Sequence, residues 1–460
     1  MKTHSMPRFH KPAWLIVPAV ITIVMLTIMA RSLNSPTTQA NAFSYPFRLD
    51  LPGNRDRLKQ IQAELSFYKD RVQQAPTSGL NLSALAGTYW KMGKATGEVS
   101  WYLLAEKTAQ RSLSSLPFDN AGAKLTLAKI AQAQHNFKQT NKITQQILTE
   151  QPGNEEAQAI LVTSHLATGN LIEADRLVTQ LVKSTPTLPT LTLQALVQDA
   201  RGEASTSQTF EAAIAAEEPG EIGSSAFARV MYGRHYARQG KLQKAESLYQ
   251  AALEILPNYP LALVQLASLK IRQGKYEAAE QAYNQIVAYS RQEATVFDHV
   301  ILRGKARIKQ LQGQAFTPLL QKAETLLRQE TNTGHDATSL EQGSFGHRRE
   351  LALLLLDRNQ PQTNAEALKL MQAEVKVRQD AQTLSALAQA QFRADRHQAA
   401  HLSIQKAIAT GIADPALFMQ AAQIARRLDK PQQAQRYANR ATQIDPSFDQ
   451  QAQRAIGLEI

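Results

Sequence analysis

The sequence predicts an all-α chain built as a solenoid of antiparallel helix pairs, and three observations carry that expectation. The stretch "GKLQKAESLYQAAL" starting at Gly240 returns as "GKYEAAEQAYNQIV" starting at Gly274, 34 residues later. A period of roughly 20 to 50 residues marks stacked units, because one helix pair cannot bury both of its faces alone. Aromatics make up only 6% of the 460 residues while Ala, Leu and Gln recur throughout, which suits helix interfaces made of small and aliphatic side chains. Upstream of each repeated glycine lies another apolar helix, with Tyr232, Gly233 and Tyr236 in one copy and Leu266 and Ala267 in the next. Each unit therefore reads as two helices joined by a tight turn.

Taken from the N-terminus, the chain opens with a basic tail, 1–12, followed by "AWLIVPAVITIVMLTIMA", 13–30, a segment of eighteen residues without a charge. That length suits a transmembrane helix, and Pro18 falls within its first two turns, where a missing N–H costs least. Lys2, Arg8 and Lys11 precede the segment and only Arg31 follows it closely, so the positive-inside rule places the tail in the cytoplasm and the rest outside. Ala40-Asn41-Ala42 offers a small-residue cleavage site, so the segment is an anchor or, in the alternative, a signal whose removal leaves a secreted protein. Residues 31–53, with Pro36, Pro46, Pro52 and Gly53, read as an extended spacer. Within 54–79, Leu58, Ile61, Leu65, Tyr68 and Val72 fall at helical spacing and predict a capping helix ahead of the first repeat.

The repeats then run through 80–329. Pro117, Pro152 and Pro186 keep the period, a shorter unit surrounds Gly202 and Pro219, and a helix pair surrounds Gly313. The first unit is too long between its landmarks, and "KATGEVSWY", 94–102, is expected to be a lengthened loop between its helices. Residues 330–346 are polar, rich in Gly, Ser and Thr and without periodicity, and read either as a flexible elbow or as a loop inserted in a continuous array. The pattern recovers over 347–460 at Ala388, Ala400, Ala407, Ala422, Ala434, Ala441 and Pro446, with a polar capping helix expected after Pro446.

The unit from Ala226 to Tyr259 resembles the tetratricopeptide repeat. Gly233, Tyr236, Gly240, Ala245, Tyr249, Ala252 and Pro257 stand at repeat positions 8, 11, 15, 20, 24, 27 and 32, where that family places small residues, aromatics, glycine and proline. The resemblance covers most of 80–450 and implies a right-handed superhelix of helix pairs, here preceded by the one transmembrane segment. The layout also resembles that of bacterial envelope-associated repeat proteins.

Chemistry is sparse. There is no cysteine, which excludes disulfides, thiolate metal sites, thiol nucleophiles and lipid attachment through cysteine. No H-E-x-x-H, G-x-S-x-G or P-loop pattern occurs. His397 and His401, four apart, make two ligands but not a metal site, and the His335, Asp336, Ser339, Glu341, Ser344 and His347 cluster reads as a solvated loop. The formal charge of +12 includes +4 around the apolar segment, and no helix carries a basic stripe with interleaved aromatics, so nucleic acid is not expected as a partner.

In tetratricopeptide proteins ligands commonly lie along the first helix of each unit, and the resemblance carries that role to named positions. These are Phe227, Val230, Arg234 and Arg238, then Leu261, Val264, Ile271 and Arg272, then Phe392, Arg393, Met419, Arg426 and Arg427. Guanidinium groups beside apolar side chains suit an extended, acidic peptide or protein segment. The expectation is a non-catalytic scaffold without cofactor or metal, tethered to a membrane and facing away from the cytoplasm. The alternative is an accessory or regulatory subunit of an envelope enzyme, secretion or cell-surface biogenesis complex.

Overall fold

The computed structural model describes residues 43–47, 57–290, 293–332, 347–358 and 360–448. The chain divides into two units, Met1–Ser44 and Tyr45–Ile460, and every described helix belongs to the second. The expected transmembrane segment, the spacer up to 42, the polar loop from 333 and the capping helix after Pro446 from 449 onward lie outside the described residues. Among those described, no helix is long and apolar enough to cross a membrane.

The described helices are α1 (Arg57–Gln74), α2 (Gly79–Thr96), α3 (Val99–Ser115), α4 (Ala121–Ala133), α5 (Phe137–Glu150), α6 (Glu155–Ala167) and α7 (Leu171–Ser184). They continue with α8 (Leu188–Ala200), α9 (Thr206–Ala215), α10 (Ile222–Arg238), α11 (Leu242–Ile255), α12 (Pro260–Arg272), α13 (Tyr276–Tyr289), α14 (Asp298–Leu311) and α15 (Thr317–Asn332). The last are α16 (Arg348–Arg358), α17 (Pro361–Glu374), α18 (Ala381–Arg393), α19 (His397–Ile408), α20 (Pro415–Arg427) and α21 (Pro431–Ile444). From α2 onward they pair as hairpins, α2 with α3 through α20 with α21, and each hairpin packs on the next.

Local chemistry sets these boundaries. The second helices α3, α5, α7, α11 and α21 end at Ser115, Glu150, Ser184, Ile255 and Ile444, each two residues before a proline. Proline disfavours helical geometry in the residue ahead of it, which stops the helix there. At the other ends, Asn120, Asn136, Asn154, Asn170, Asp380 and Asp414 cap α4, α5, α6, α7, α18 and α20, their side chains accepting a backbone N–H of the first turn. The turns between paired helices need a left-handed residue. Glycine supplies it at Gly240 (φ 72°) and Gly274 (φ 71°), while His135, Asp395 and Asp429 take the same conformation in repeats without a glycine there.

The capping helix α1 buries Ile61 and Leu65 against Leu85, Tyr89, Met92 and Ala105, with Leu58, Tyr68 and Val72 packed at the edge of that cluster. The long first unit differs from the expected loop. Lys94 to Thr96 continue α2, Gly97 closes it in the left-handed region by donating to Gly93 O, and α3 begins at Val99. Its extra residues lengthen the helices, because Tyr102 packs over Gly93 and the added turn is buried. Farther on, one core cluster joins Ala306 of α14, Leu320, Ala323 and Leu327 of α15 and Leu351 and Leu355 of α16 to Met371 of α17 and Leu387 of α18. The core thus continues across the stretch where the sequence period fades.

Later hairpins return against the turns of earlier ones. Glu98 and Thr295 form an isolated antiparallel bridge, with Val99 N donating to Ala294 O (3.1 Å) and Val296 N to Gly97 O (3.0 Å). Gln379 N donates to Ala167 O (3.2 Å), and the backbones of Gly202 and Gly411 lie directly against each other. Arg272 pairs with Asp445.

Candidate functional site

Helices α8 and α10 are first members of successive hairpins and pack side by side. Leu196, Asp199 and Ala200 on α8, and Met231, Arg234 and Arg238 on α10, recur at spacings of three or four, which brings each set onto one helix face. Together with the end of α6 they form one wall of a cavity of about 410 Å³. Arg349 of α16, Arg378 and Asp380 ahead of α18, and Ile412 after α19 form the other wall.

Two carboxylates organise the charges. Asp199 pairs with Arg238 and lies 2.8 Å from His235 Nδ1. Burial would raise this carboxyl, but the Arg238 guanidinium and the His235 imidazole outweigh it and hold the group well below the usual carboxylate range. On the opposite wall Arg378 Nε donates to Asp380 Oδ2 (3.2 Å), and Arg349 lies 3.5 Å from the same carboxylate. Asp380 also caps α18, accepting from Thr383 N (2.9 Å) and from the Thr383 hydroxyl (2.8 Å). Behind this wall lies a buried ionic group. Arg349 pairs with Glu350 (3.0 Å), while Glu374 stays 4.0 Å from Arg378, 3.9 Å from Arg348 and 3.8 Å from His135. Burial raises the Glu374 carboxyl, and burial together with the Arg378 charge pushes the His135 imidazole down to about 3. His135 is therefore neutral near pH 7.

The structure divides the predicted groove residues into three groups. Arg234 and Arg238 come together in the cavity. Val230, Leu261, Val264 and Ile271 lie in the core and present no open surface. The reason is that α10 is packed on by α8, α9, α11 and α12, and α12 by α10, α11, α13 and α14, so these inner helices are enclosed. Arg272 belongs with them, its side chain 5% exposed, donating to Ala237 O (2.8 Å) and pairing with Asp445. Phe227 is half-buried. In the later repeats the register stays more open, with Phe392, Arg393 and Met419 half-buried and Arg426 and Arg427 exposed.

Of the two histidines spaced as metal ligands, His401 is buried and His397 Nε2 lies 3.7 Å from Asp395. Among the described residues no group of three or more His, Asp or Glu is arranged to hold a metal ion. The sequence pattern does not single out Asp199, Arg349, Arg378 or Asp380. Asp199 lies in the faint repeat around Gly202, and the other three reach the cavity only because later hairpins return against earlier ones.

No curated protein sequence matches the chain. Among solved structures, the human IFIT1 dimer with PPP-AAAA is 17% identical, covering 85% of this chain and 88% of that one at a TM-score of 0.43. The APC/C hetero-tetramer Cut9–Hcn1 is 12% identical, covering 87% and 94% at a TM-score of 0.35. Residues 236–297, which contain both copies of the duplicated stretch, match the tetratricopeptide repeat family.

Proposed function

We propose that this chain is a non-catalytic, membrane-tethered scaffold that binds other proteins outside the cytoplasm. The observation that carries the binding surface is a contrast in exposure between repeats. In α10 and α12 the inner register is largely core, whereas in α18 and α20 it leaves Phe392, Arg393, Met419, Arg426 and Arg427 partly or fully accessible. Adjacent guanidinium and apolar groups of this kind favour an extended segment carrying acidic side chains. The tetratricopeptide match and the stacked hairpins support a role in protein recognition, and the basic residues ahead of the apolar segment 13–30 support an anchor with its tail in the cytoplasm.

The test is crosslinking capture from membranes of the source cells. Wild type is expected to retain a defined set of partners that Arg426→Glu combined with Arg427→Glu loses. Both side chains are exposed, so the variant is expected to melt like wild type. An unchanged set of partners would remove this surface from consideration. Digestion of the C-terminal region by protease added to the cytoplasmic face would overturn the proposed orientation.

A further inference from the structure

We propose that copies of this chain associate head to tail, the loop around Phe118 of one copy seating on the turn at Gly274 of the next. The proposal goes beyond the scaffold reading and does not depend on it.

The contacts between later and earlier hairpins follow one register. Counting hairpins from the pair α2 and α3, the turn within the first, at Gly97, meets Thr295 and Phe297 in the loop that leaves the sixth. The third turn, at Gly169, meets Gln379 in the loop that leaves the eighth. The fourth, at Gly202, meets Gly411 after the ninth, and the fifth, at Gly240, meets Asp445 after the tenth. Each of these turns is covered by the loop from five hairpins farther on. A solenoid repeats such a contact because successive units carry similar rotations.

The sixth turn, at Gly274, and the seventh, at Gly313, keep the same left-handed backbone, φ 71° and 70°. Nothing among the described residues lies within 4 Å of a Cβ built on either. The register calls for an eleventh loop over Gly274, and the first loop of another copy is the equivalent piece. That loop, between α3 and α4, holds Phe118 79% exposed, with Pro117 and Asp119 exposed beside it. Its position fits. In the covered pairs the contacting residue is the N-cap of the following helix at Phe297, one before it at Gln379, and three before it at Gly411, while Phe118 stands two before the N-cap Asn120.

The first contact shows what such a ring does. A Cβ on Gly97 would stand 2.9 Å from the Phe297 ring, so the ring lies against glycine backbone with no side chain between. Gly274 offers the same bare backbone to Phe118, and removing the phenyl ring from water drives the contact. This register also brings Asp119 to Lys275, a pair of opposite charge that favours it over its neighbours. The fourth loop is an exception, because Tyr45 Oη donates to Glu218 O and accepts from Gly220 N (3.0 Å each), so the loops ahead of it carry the contact. The two surfaces differ, so each copy keeps an open Gly274 turn for the next, and association grows as a chain rather than closing as a twofold dimer.

The test uses the full chain in detergent micelles. Ordinary and isotopically heavy chains are mixed and treated with a carbodiimide, which condenses a carboxylate with an amine held in contact. A mixed-isotope link between Asp119 and Lys275 is expected, and sedimentation should show species larger than a dimer as concentration rises to about 100 μM. Phe118→Ser is expected to weaken association tenfold or more, and because that side chain is exposed the variant should melt like wild type. Monomers throughout, a link confined to chains of one isotope, a closed dimer without the link, or undiminished association of Phe118→Ser would overturn the proposal. Partner capture through Arg426 and Arg427 is a separate measurement, so either reading can fail without the other.

Discussion

The contact between Gly202 and Gly411 gives the sharpest test of how the later hairpins are held against the earlier ones. Gly202 sits at φ 68° in the turn after α8, and a Cβ built there would overlap the Gly411 carbonyl oxygen and stand 2.8 Å from its carbonyl carbon. Ordinary contact begins near 3.4 Å, and a backbone carbonyl cannot rotate aside as a side chain does, so Gly202→Ala must separate the two turns or distort both. The left-handed conformation alone costs an alanine about 1 kcal/mol. Overpacking adds roughly 1–3 kcal/mol, for a total of about 2–4 kcal/mol. Gly274 provides the control, because it has nearly the same backbone angle, φ 71°, and nothing within 4 Å of a built Cβ. Gly274→Ala should therefore show only the conformational part. The assay is urea unfolding of both variants and wild type, with hydrogen exchange read over 405–415. Gly202→Ala should lose the larger free energy and expose the Gly411 turn to exchange. Equal losses in the two variants, with protection at Gly411 unchanged, would refute the contact.

Two further predictions concern buried charge. Arg229, whose side chain is fully buried, donates to both carboxylate oxygens of Glu217 (2.9 and 2.8 Å) and to Ser225 O (3.1 Å). Arg229→Ala leaves that carboxylate without its partner and should cost about 3–5 kcal/mol in urea unfolding, whereas Arg229→Met with Glu217→Leu should cost much less, and equal losses would contradict the assignment. Burial raises the Glu106 carboxyl to about 7, opposed by a hydrogen bond from Gln134. A carboxyl raised on folding binds protons more tightly in the folded chain. Its contribution to stability is therefore fully present below the unfolded value and is lost as pH rises from about 4 through about 7. Glu106→Gln should flatten that part of the stability profile, and an unchanged slope would exclude Glu106 as its source.

What the sequence makes legible, and what it hides, divides along one physical line. The period comes through because each of its marks acts within a few residues. Pro117, Pro152, Pro186, Pro257 and Pro446 each stop a helix two residues earlier, and Gly240 and Gly274 supply a backbone conformation that a Cβ opposes. The stripe on α1 is equally readable, since five side chains at helical spacing need only one neighbour to pack against. Where a different residue can do the same local work, the period fades without any change in structure, as at His135, Asp395 and Asp429. The long first unit departs from expectation for a related reason. Nothing in "KATGEVSWY" says whether extra residues loop out or lengthen a helix, and the burial of Met92 and Thr96 that decides it depends on the packing around them.

The cavity marks the limit of that kind of reading. Arg234 and Arg238 can be placed from the register of a single helix, because positions three or four apart share a face wherever the helix lies. Whether that face is open depends on what returns to cover it, and the same register that leaves Arg427 exposed encloses Arg272 against Asp445. Arg349, Arg378 and Asp380 come to line the same cavity as Arg238 only through the stacking of many hairpins, each adding a small rotation to the last, so no local pattern announces the meeting. A solenoid contact of this kind is therefore fixed by the accumulated geometry of the repeats between its partners. A change in that geometry anywhere between α10 and α16 should shift the two walls of the cavity relative to each other, even where it touches neither. Residues that set the spacing within those hairpins, such as Gly304 packed beneath the Tyr283 ring, then act on the cavity from a distance.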